Sequence, residues 1–348
     1  MPTFVSCFSG AGGLDLGVAA AGGRPVAAGD TDAHAVATYN AIHRVRDPEW
    51  AEAAGRMSGH QAQVADAVDL LKAGAYPHAD LVVGGPPCQG FSRAGRRDPN
   101  DPRSAHVHTF FDIVDVVRPR AFIMENVADL ARHAGWVGVR DELIARAESG
   151  YRVDLVVENA AHWGVAQRRE RMFLIGTPTG SGGPRWPERD THAPTVRDVL
   201  SGLPAAGTPG NPLTSTAAIV PAKNPVLRRS PFAGMLFNGM GRTIDLDAPS
   251  PTLPASMGGN KTPIIDEGHL AGKQPWIVGY HAHLQRGGAG LEVPPRLRRM
   301  TVTEAAAIQS FPGDMPWSGP ISAQYRQIGN AVPPRMARGV AAAVIAAL

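Results

Sequence analysis

The chain has 348 residues, 43% of them hydrophobic, which is enough for a large buried core in one or two domains. Thirty-four lysines and arginines against 31 acidic residues give a net charge of +3, which permits a polyanionic partner without requiring one. Two cysteines cannot form the disulfide framework of a small secreted protein, and they suggest a reducing compartment. Neither a signal sequence nor a membrane-length apolar run is present, so we expect a cytoplasmic protein without a membrane anchor.

The first half of the chain alternates short apolar runs with helical patterns, which favours an α/β fold with a mostly parallel sheet. The predicted strands are Thr3–Phe8, Pro25–Ala28, Gln63–Ala65, Leu81–Val83, Ala121–Met124, Asp154–Glu158 and Met172–Ile175. The helical patterns between them include Ala33–His43, His108–Val117 and Arg140–Ser149. The segment Val45–His60 is interpreted as a polar insertion after the second helix.

The pattern changes after Gly176, where the chain becomes rich in Pro, Gly, Ser and Thr without a helical period. We predict a catalytic domain over residues 1–177 and a smaller, irregular domain of short strands and loops over residues 178–320. The helical pattern returns over residues 321–348, and we expect this segment to pack back onto the first domain.

A glycine-rich segment, "FSGAGGLDLG" (Phe8–Gly17), follows the first predicted strand. Glycines at a strand-to-helix junction let backbone N–H groups approach a ligand. The dinucleotide fingerprint fails because Asp15 takes its last glycine position, which disfavours a nicotinamide dehydrogenase. Asp30 and Asp66 follow the next two strands, where they could bind ribose hydroxyls and an adenine amino group. Together these strand ends predict a nucleoside cofactor, although each aspartate alone could be a turn or cap residue.

The two cysteines have different surroundings. Cys7 lies within an apolar strand and is predicted to be a small buried hydrophobe. Cys88 follows the fourth strand in "DLVVGGPPCQGFS", where Pro86 and Pro87 restrict the backbone. A thiol held on such a loop is suited to nucleophilic attack, and a buried structural cysteine is the alternative. No cysteine or histidine stands at metal-ligand spacing around Cys88, so we predict no metal site.

Charged residues mark the ends of two further strands. Glu125 ends the apolar run of "FIMENV", where a carboxyl with a raised pKa could exchange a proton with an aromatic base. Arg169 and Arg171 alternate in "QRRERMFLIG", so both would project to one side and could hold a carbonyl or phosphate oxygen. The alternatives are a structural salt bridge for Glu125 and a solvated turn for the arginines.

Six segments occur in the order typical of the DNA (cytosine-5) methyltransferase family, which this sequence resembles from residue 8 to residue 334. They are "FSGAGG", "GGPPCQGFS", "ENV", "QRRERMFLIG", "RRMTVTEAAAIQSFP" and "QYRQIGNAVPP". The resemblance implies a class I S-adenosylmethionine-dependent methyltransferase fold, with a mostly parallel, Rossmann-like sheet of seven strands. It further implies that the irregular region is a target-recognition domain.

The resemblance also implies catalytic and cofactor residues. Cys88 would add to carbon 6 of a cytosine flipped out of the duplex, and Glu125 would bind its ring nitrogen 3 and exocyclic amine. Arg171 would hold the base carbonyl, supported by Arg169. The implied S-adenosylmethionine residues are Phe8, Gly10, Gly12, Gly13, Leu14, Asp30, Thr31, Asp66, Pro86 and Asn330. Thr31 departs from the family pattern, because an apolar or aromatic residue often covers the adenine there.

Double-stranded DNA is the partner that the resemblance implies. The expected contacts are Gln89, Ser92, Arg96 and Arg103 on the loop after Cys88, and Arg242, Thr252, Leu253 and Lys261 in the recognition region. The arginines of "PPRLRRM" are further candidates for phosphate or base contacts. We expect a monomer, and the resemblance leaves open whether a cognate restriction endonuclease acts separately. Two other interpretations remain, a methyltransferase acting on a transfer RNA cytosine and a non-catalytic DNA-binding relative.

Overall fold

The computed structural model describes residues 1–87 and 105–348. Its strands are β1 (Thr3–Cys7), β2 (Arg24–Asp30), β3 (Gln63–Val64), β4 (Leu81–Gly84), β5 (Ala121–Val127), β6 (Arg152–Asn159), β7 (Gln167–Arg168), β8 (Glu170–Thr177), β9 (Pro221–Val226), β10 (Met235–Phe237), β11 (Ser250–Pro251), β12 (Ile264–Asp266) and β13 (Leu297–Arg299).

The α-helices of the described residues are α1 (Gly13–Ala20), α2 (Ala33–Ala41), α3 (Ala51–Met57), α4 (Ala67–Lys72), α5 (His106–Val117), α6 (Ala128–Arg132), α7 (Val137–Glu148), α8 (Val196–Leu200), α9 (Glu267–Leu270), α10 (Trp276–Gln285), α11 (Val302–Ile308), α12 (Ile321–Asn330) and α13 (Pro334–Ile345). Short 3-10 segments occupy Ile42–Arg44, Ala134–Trp136, Ala160–Trp163, Pro231–Ala233 and Gly259–Lys261. None of these helices is long and apolar enough to cross a membrane.

A seven-stranded sheet forms the centre of the protein, with the strand order β3-β2-β1-β4-β5-β8-β6. Only β8 runs antiparallel to its two neighbours within this sheet, so the predicted mostly parallel α/β fold is confirmed. β2 pairs with β1 on one side of β1, and β4 pairs with β1 on its other side. Such a reversal of strand order opens a crevice at the carboxyl ends of the strands, which is where α/β proteins bind ligands.

Each of the seven predicted strands is present, but several of them, including β5 and β8, extend beyond their apolar cores. β5 continues through Glu125 to Val127, and β8 begins at Glu170. Antiparallel pairing of Val127 with Arg171 keeps both strands regular at this point. Backbone pairing therefore extends the sheet through charged residues that the hydrophobic pattern alone would assign to loops.

Helices cover both faces of this sheet. On one face, α5 and α7 contribute Phe110 and Leu143 to the core, and on the other α1 and α13 contribute Val18 and Val340. A β-carbon on Gly17 would lie 2.3 Å from the Cβ of Ala337, so α1 and α13 pack closely. The C-terminal helix α13 thus lies against α1 on this face of the sheet.

The segment Val45–His60 was wrongly interpreted as a polar insertion. It contains Trp50 and the helix α3, whose Ala53, Ala54 and Met57 are buried in the core together with Trp50. Their spacing of three and four residues places them on one face of a helix. Small alanines make this apolar face inconspicuous in the sequence, although it packs as tightly as a larger one.

The region 178–320 has a small core of its own around Phe237, Ile277 and Tyr280. Its strands are short, as expected, but α10 shows that it is not confined to strands and loops. A second core joins α8 and α11 of this region to Leu16 and Tyr39 of the first domain. The division into 1–177, 178–320 and 321–348 therefore remains a prediction, because residues on both sides of its boundaries share one core.

Candidate active site

A cavity of about 390 Å³ opens at the carboxyl ends of β1, β2, β4 and β5, beside the reversal of strand order. This volume is within the range of small-molecule sites. Nine of the ten predicted cofactor residues line it: Phe8, Gly10, Gly13, Leu14, Asp30, Thr31, Asp66, Pro86 and Asn330. Gly12 is not in the lining, and a β-carbon there would lie 2.9 Å from the Tyr39 ring. The absence of a side chain at Gly12 therefore allows the start of α1 to pack closely against α2.

The glycine-rich loop turns its backbone toward the cavity. Phe8 and Gly10 both have positive φ angles, 57° and 53°. A β-carbon on Gly10 would meet no atom of the described residues within 4 Å, which leaves room for a ligand against the backbone. Because a non-glycine residue at positive φ is strained, the conformation of Phe8 indicates that the loop is held by its surroundings.

Asp30 holds this loop in place. Its carboxylate accepts hydrogen bonds from the backbone N–H groups of Gly10 (2.8 Å) and Asp32 (2.9 Å). Burial raises the pKa of Asp30, although these hydrogen bonds favour its charged form. Asp66 begins α4 and accepts a hydrogen bond from the N–H of Val68 at 2.8 Å. Both aspartates are thus cap or turn residues that also line the cavity. The structural interpretation and the cofactor-binding interpretation of these residues are therefore compatible.

An aromatic residue outside the predicted set lies at the cavity wall. His106, the first residue of α5, packs edge-on against Phe8 with ring centroids 5.4 Å apart. Thr31, by contrast, is exposed at the rim. His106 therefore supplies an aromatic ring beside Phe8. Thr31, which has no ring, cannot do so. Its position directly after the arginine- and glycine-rich segment gave no sequence signal for such a role.

Glu125 and Arg171 form an ion pair at the cavity wall, with 2.9 Å between Arg171 Nε and Glu125 Oε1. The two residues lie diagonally across the β5–β8 pairing. Glu125 is 8% exposed, and burial raises the pKa of its carboxyl more than Arg171 and Arg169 lower it. The side chain can therefore hold a proton to higher pH than an ordinary glutamate can.

Asn126 positions the backbone that precedes Cys88. Its buried amide donates a hydrogen bond to the carbonyl of Pro86 at 3.2 Å, and its Oδ1 accepts from the N–H of Val127 at 2.9 Å. The "ENV" motif thus couples the end of β5 to the end of β4. Sequence reasoning identified Glu125 in this motif but missed the asparagine, because its partner is a backbone carbonyl 40 residues away.

Arg169 lines the cavity with Arg171, yet its guanidinium group also joins distant segments. It is fully buried and donates to the carbonyls of Gly329 (2.8 Å) and Leu253 (3.4 Å). These carbonyls belong to the end of α12 and to the loop after β11. Arg169 is therefore placed to fix the loop after β11 and the end of α12 against the central sheet.

We expect Arg169→Lys to lower the free energy of unfolding by about 2 kcal/mol, because a lysine cannot bridge two carbonyls as a planar guanidinium does. Chemical denaturation measures the change. The exposed neighbour Arg168 supplies the control Arg168→Lys, which should leave stability unchanged. Equal stability of the two variants would contradict the bridging role.

The predicted recognition residues fall into two groups. Arg242 and Lys261 are exposed on adjacent segments, which are joined by a hydrogen bond from the Gly241 N–H to the Asn260 carbonyl at 3.0 Å. Thr252 is exposed but donates its hydroxyl to the Arg168 carbonyl at 2.8 Å, and the Leu253 side chain is 1% exposed. Any contribution of Leu253 to DNA binding therefore acts through the loop that this side chain anchors.

The arginines of "PPRLRRM" form ion pairs and hydrogen bonds within the protein instead of forming a DNA-binding surface. Arg296 pairs with Asp266, Arg298 pairs with Glu304 and Glu267, and Arg299 is 5% exposed among backbone carbonyls. Their placement does not support the DNA contacts expected of them. Cys7 is fully buried as predicted, and burial raises the pKa of its thiol.

Five predicted site residues lie outside the described residues: Cys88, Gln89, Ser92, Arg96 and Arg103. The described backbone reaches Pro87, which lines the cavity together with Glu125 and Arg171. The last described residue before Cys88 therefore lies at the cavity wall.

The fold and this cavity define a methyltransferase-like α/β protein, and comparisons with known proteins identify the family. The C-5 cytosine-specific DNA methylase family matches residues 2–346, and the chain belongs to this family. The Type II methyltransferase M1.HphI of Haemophilus parahaemolyticus is 32% identical over 358 residues, which cover 99% of this chain and 86% of that protein. The Type II methyltransferase M.NgoPII of Neisseria gonorrhoeae is 32% identical over 363 residues, with 98% and 94% covered.

Solved structures support the fold. A putative DNA modification methyltransferase encoded within an Escherichia coli prophage aligns with a TM-score of 0.67 at 20% identity, covering 100% of this chain and 99% of that one. Spodoptera frugiperda DNMT2 aligns with a TM-score of 0.63 at 17% identity, with 97% and 98% covered. The protein is a C-5 cytosine-specific DNA methyltransferase with the class I methyltransferase fold. A covalent cysteine adduct and a flipped-out base are general features of this family.

Proposed function

We propose that this enzyme transfers a methyl group from S-adenosylmethionine to carbon 5 of a cytosine in a specific duplex DNA sequence, as the modification enzyme of a bacterial or phage system. The observation that carries the proposal is the cavity at the strand ends, where cofactor candidates on β1 and β2 face the Glu125–Arg171 pair. This arrangement supports a nucleoside subsite and a base subsite within one cavity.

The cavity fits S-adenosylmethionine on two observations. Gly10 offers an unobstructed backbone surface, and the carboxylates of Asp30 and Asp66 line the cavity at the ends of neighbouring strands. The expected contacts are Asp30 with the ribose, Asp66 with the adenine amine, Phe8 and His106 with the adenine faces, and Asn330 with the methionine end. Bound S-adenosylmethionine supplies the electrophilic methyl group.

The chain's own residues activate the base. We assign to the Cys88 thiolate the addition to carbon 6, which forms a carbon–sulfur bond and moves electron density to carbon 5. Glu125 delivers a proton to ring nitrogen 3 as this bond forms, and its raised pKa suits that role. Arg171 binds the carbonyl oxygen of the base. After methylation, a base removes the proton from carbon 5, and the electron pair of that bond restores the carbon 5–carbon 6 double bond and expels the Cys88 thiolate. The Glu125 carboxylate takes back the proton from ring nitrogen 3.

Methyl transfer from tritiated S-adenosylmethionine tests the proposal directly. We expect label in duplex DNA, with 5-methylcytosine as the product after hydrolysis, and no label in transfer RNA. Label in transfer RNA alone would overturn the DNA assignment. Bisulfite sequencing of a host genome that expresses the enzyme would then give the recognition sequence.

The exposed cations of the recognition region predict a salt-dependent affinity. Replacing Arg242 and Lys261 together by alanine should reduce the slope of log affinity against log salt concentration by about 2, since each phosphate contact contributes about 0.9. Cofactor affinity should not change. Lys72, which is exposed on α4, supplies the control Lys72→Ala. Identical slopes for the double variant and the control would show that Arg242 and Lys261 do not contact phosphates.

A further inference from the structure

The β9–β10 hairpin lies in a long stretch of the chain that has no acidic residue. Between Asp198 and Asp245 the sequence contains neither aspartate nor glutamate. The same stretch contains four cations, which are Lys223, Arg228, Arg229 and Arg242. A protein surface that only needs to be soluble carries charges of both signs side by side. The one-sided charge of this stretch therefore indicates a surface for a negatively charged partner.

Three of these cations lie on the hairpin with exposed side chains. Lys223, Arg228 and Arg229 belong to an unbroken exposed run, residues 223–230, which covers most of β9 and the turn that follows it. None of the three forms an ion pair with another described residue. Just outside the acid-free stretch, by contrast, Arg197 pairs with Asp247 at 2.6 Å. The hairpin therefore presents positive charge that the described part of the protein does not neutralise.

The backbone that carries these side chains is held from behind. β9 and β10 pair in antiparallel fashion. In the turn between them, the His281 Nε2–H of α10 donates a hydrogen bond to the Arg228 carbonyl at 2.8 Å. Phe237 of β10 packs against Tyr280 of α10, with ring centroids 6.0 Å apart. Because the backbone is already fixed, a ligand of the hairpin would order only side chains, which lowers the entropic cost of binding.

The hairpin continues into the loop that carries Arg242. At the base of the hairpin, the Asn238 N–H donates to the Val220 carbonyl at 2.9 Å, and Arg242 follows in the next turn of the chain. Exposed cations therefore extend from the loops of Arg242 and Lys261, along β9, to the turn after it. The six residues of β9 span about 20 Å. One strand of duplex DNA carries a phosphate about every 3.4 Å of helix axis, so this length can meet several phosphates.

We propose that the β9–β10 hairpin binds the DNA backbone, with Lys223, Arg228 and Arg229 contacting phosphates beyond those met by Arg242 and Lys261. The inference rests on the proposed DNA substrate. A duplex supplies regularly spaced negative charges over the whole length of the hairpin. An acidic protein is the other partner that such a surface fits, but the continuity with the Arg242 loop favours the substrate of the enzyme itself.

Phosphate contacts position a protein on DNA and carry no sequence information of their own. Replacing Lys223, Arg228 and Arg229 together by alanine should therefore weaken binding of two duplexes by the same factor, one that the enzyme methylates and one that it does not. We expect a loss of about 10–100-fold near 0.15 M salt. The slope of log affinity against log salt concentration should fall by about 2–3, since each contact contributes about 0.9. Fluorescence anisotropy with labelled duplexes over a salt series measures both quantities.

Two further variants separate phosphate contacts from general effects of charge and folding. Replacing Arg24, Lys72 and Arg120 by alanine removes the same charge from exposed positions away from the hairpin. Arg24 and Arg120 lie at the amino ends of β2 and β5, whereas the cavity lies at the carboxyl ends. This control should keep the wild-type salt slope. Replacing the hairpin cations by Arg, Lys and Lys in chain order keeps their charge and should restore most of the affinity.

The outcomes separate this inference from the proposed function. If the wild-type protein methylates no duplex, the proposed function fails and the hairpin loses its assigned partner. If the wild-type protein methylates DNA but the hairpin variant keeps its salt slope, only the role of the hairpin is overturned, and an acidic protein becomes the partner to seek. A loss confined to the methylated duplex would also overturn the proposal, because it would indicate base recognition.

The wild-type protein provides a test that requires no variant. Its four lysines are Lys72, Lys223, Lys261 and Lys273. Brief acetylation of the free protein and of its DNA complex, followed by mass spectrometry, compares their reactivity. DNA should reduce the reactivity of Lys223 several-fold and leave that of Lys72, at the end of α4, unchanged. Equal reactivity of Lys223 with and without DNA would overturn the proposal.

Discussion

Cys88→Ala should abolish methyl transfer, by roughly 10⁴-fold or more, because loss of a covalent nucleophile removes the whole reaction path. Cofactor affinity should be unaffected, since the residues proposed to bind the cofactor lie at or after the ends of β1 to β4 and on α1, α5 and α12, and this side chain is not among them. A radiolabel assay and a binding titration on the same preparation measure the two quantities.

The same prediction can be tested by a stable enzyme–DNA complex when the DNA contains 5-fluorocytosine at the target position. Carbon 5 can be methylated there, but the fluorine cannot leave as a proton does, so the sulfur–carbon 6 bond persists. Wild-type enzyme should form a denaturant-resistant complex with this DNA, and Cys88→Ala should form none. Cys7→Ala is the matched control because Cys7 is fully buried on β1, and this variant should still form the complex. A complex with Cys88→Ala, or simultaneous loss of cofactor binding, would refute the nucleophilic role.

The residues that the sequence could predict share one physical property, which is their position at strand ends. In a parallel sheet the carboxyl ends of the strands meet at one edge, so polar residues after β1, β2 and β5 are expected to converge. Glycine and acidic residues at those positions, such as Gly10, Asp30 and Glu125, were therefore predictable, and the cavity brings them together.

Residues whose function depends on tertiary partners could not be predicted in this way. Arg169 bonds carbonyls 84 and 160 positions away, and no local pattern specifies either of them. Arg298 looked like a DNA-binding cation in a basic run, but folding places Glu304 and Glu267 beside it. Asp15 was noted only as the residue that breaks a glycine fingerprint. Its burial next to Tyr39 and the cavity is visible only after α1 and α2 pack.

Backbone contacts close to Arg169 also connect the two parts of the enzyme. The Thr252 hydroxyl bonds the backbone of Arg168, and the Ser250 N–H bonds the Ala166 carbonyl at 2.8 Å. The segment around β11 is thus attached to β7, which directly precedes β8, the strand that carries Arg171. A change in this segment that follows DNA binding would therefore act on the backbone three residues before the arginine proposed to hold the base.

Glu125→Gln should reduce kcat by about 10²–10³-fold while changing DNA affinity little, because the amide can still donate a hydrogen bond to the base but cannot transfer a proton. Single-turnover methylation measures this change. Glu170, an exposed carboxylate on β8 that pairs with Arg132 at 2.8 Å, supplies the control Glu170→Gln, which should retain full activity.

The pH profile distinguishes proton transfer from a structural ion pair with Arg171. Burial raises the pKa of Glu125, so its acid form persists to higher pH than that of an exposed glutamate and is lost as pH rises through the raised value. Wild-type activity should therefore fall along this alkaline limb, and the limb should be absent from the residual activity of Glu125→Gln, whose amide does not titrate. If Glu125→Gln instead kept the wild-type rate, or lost its folded structure by circular dichroism, the carboxyl would be a partner of Arg171 and not the proton donor to the base.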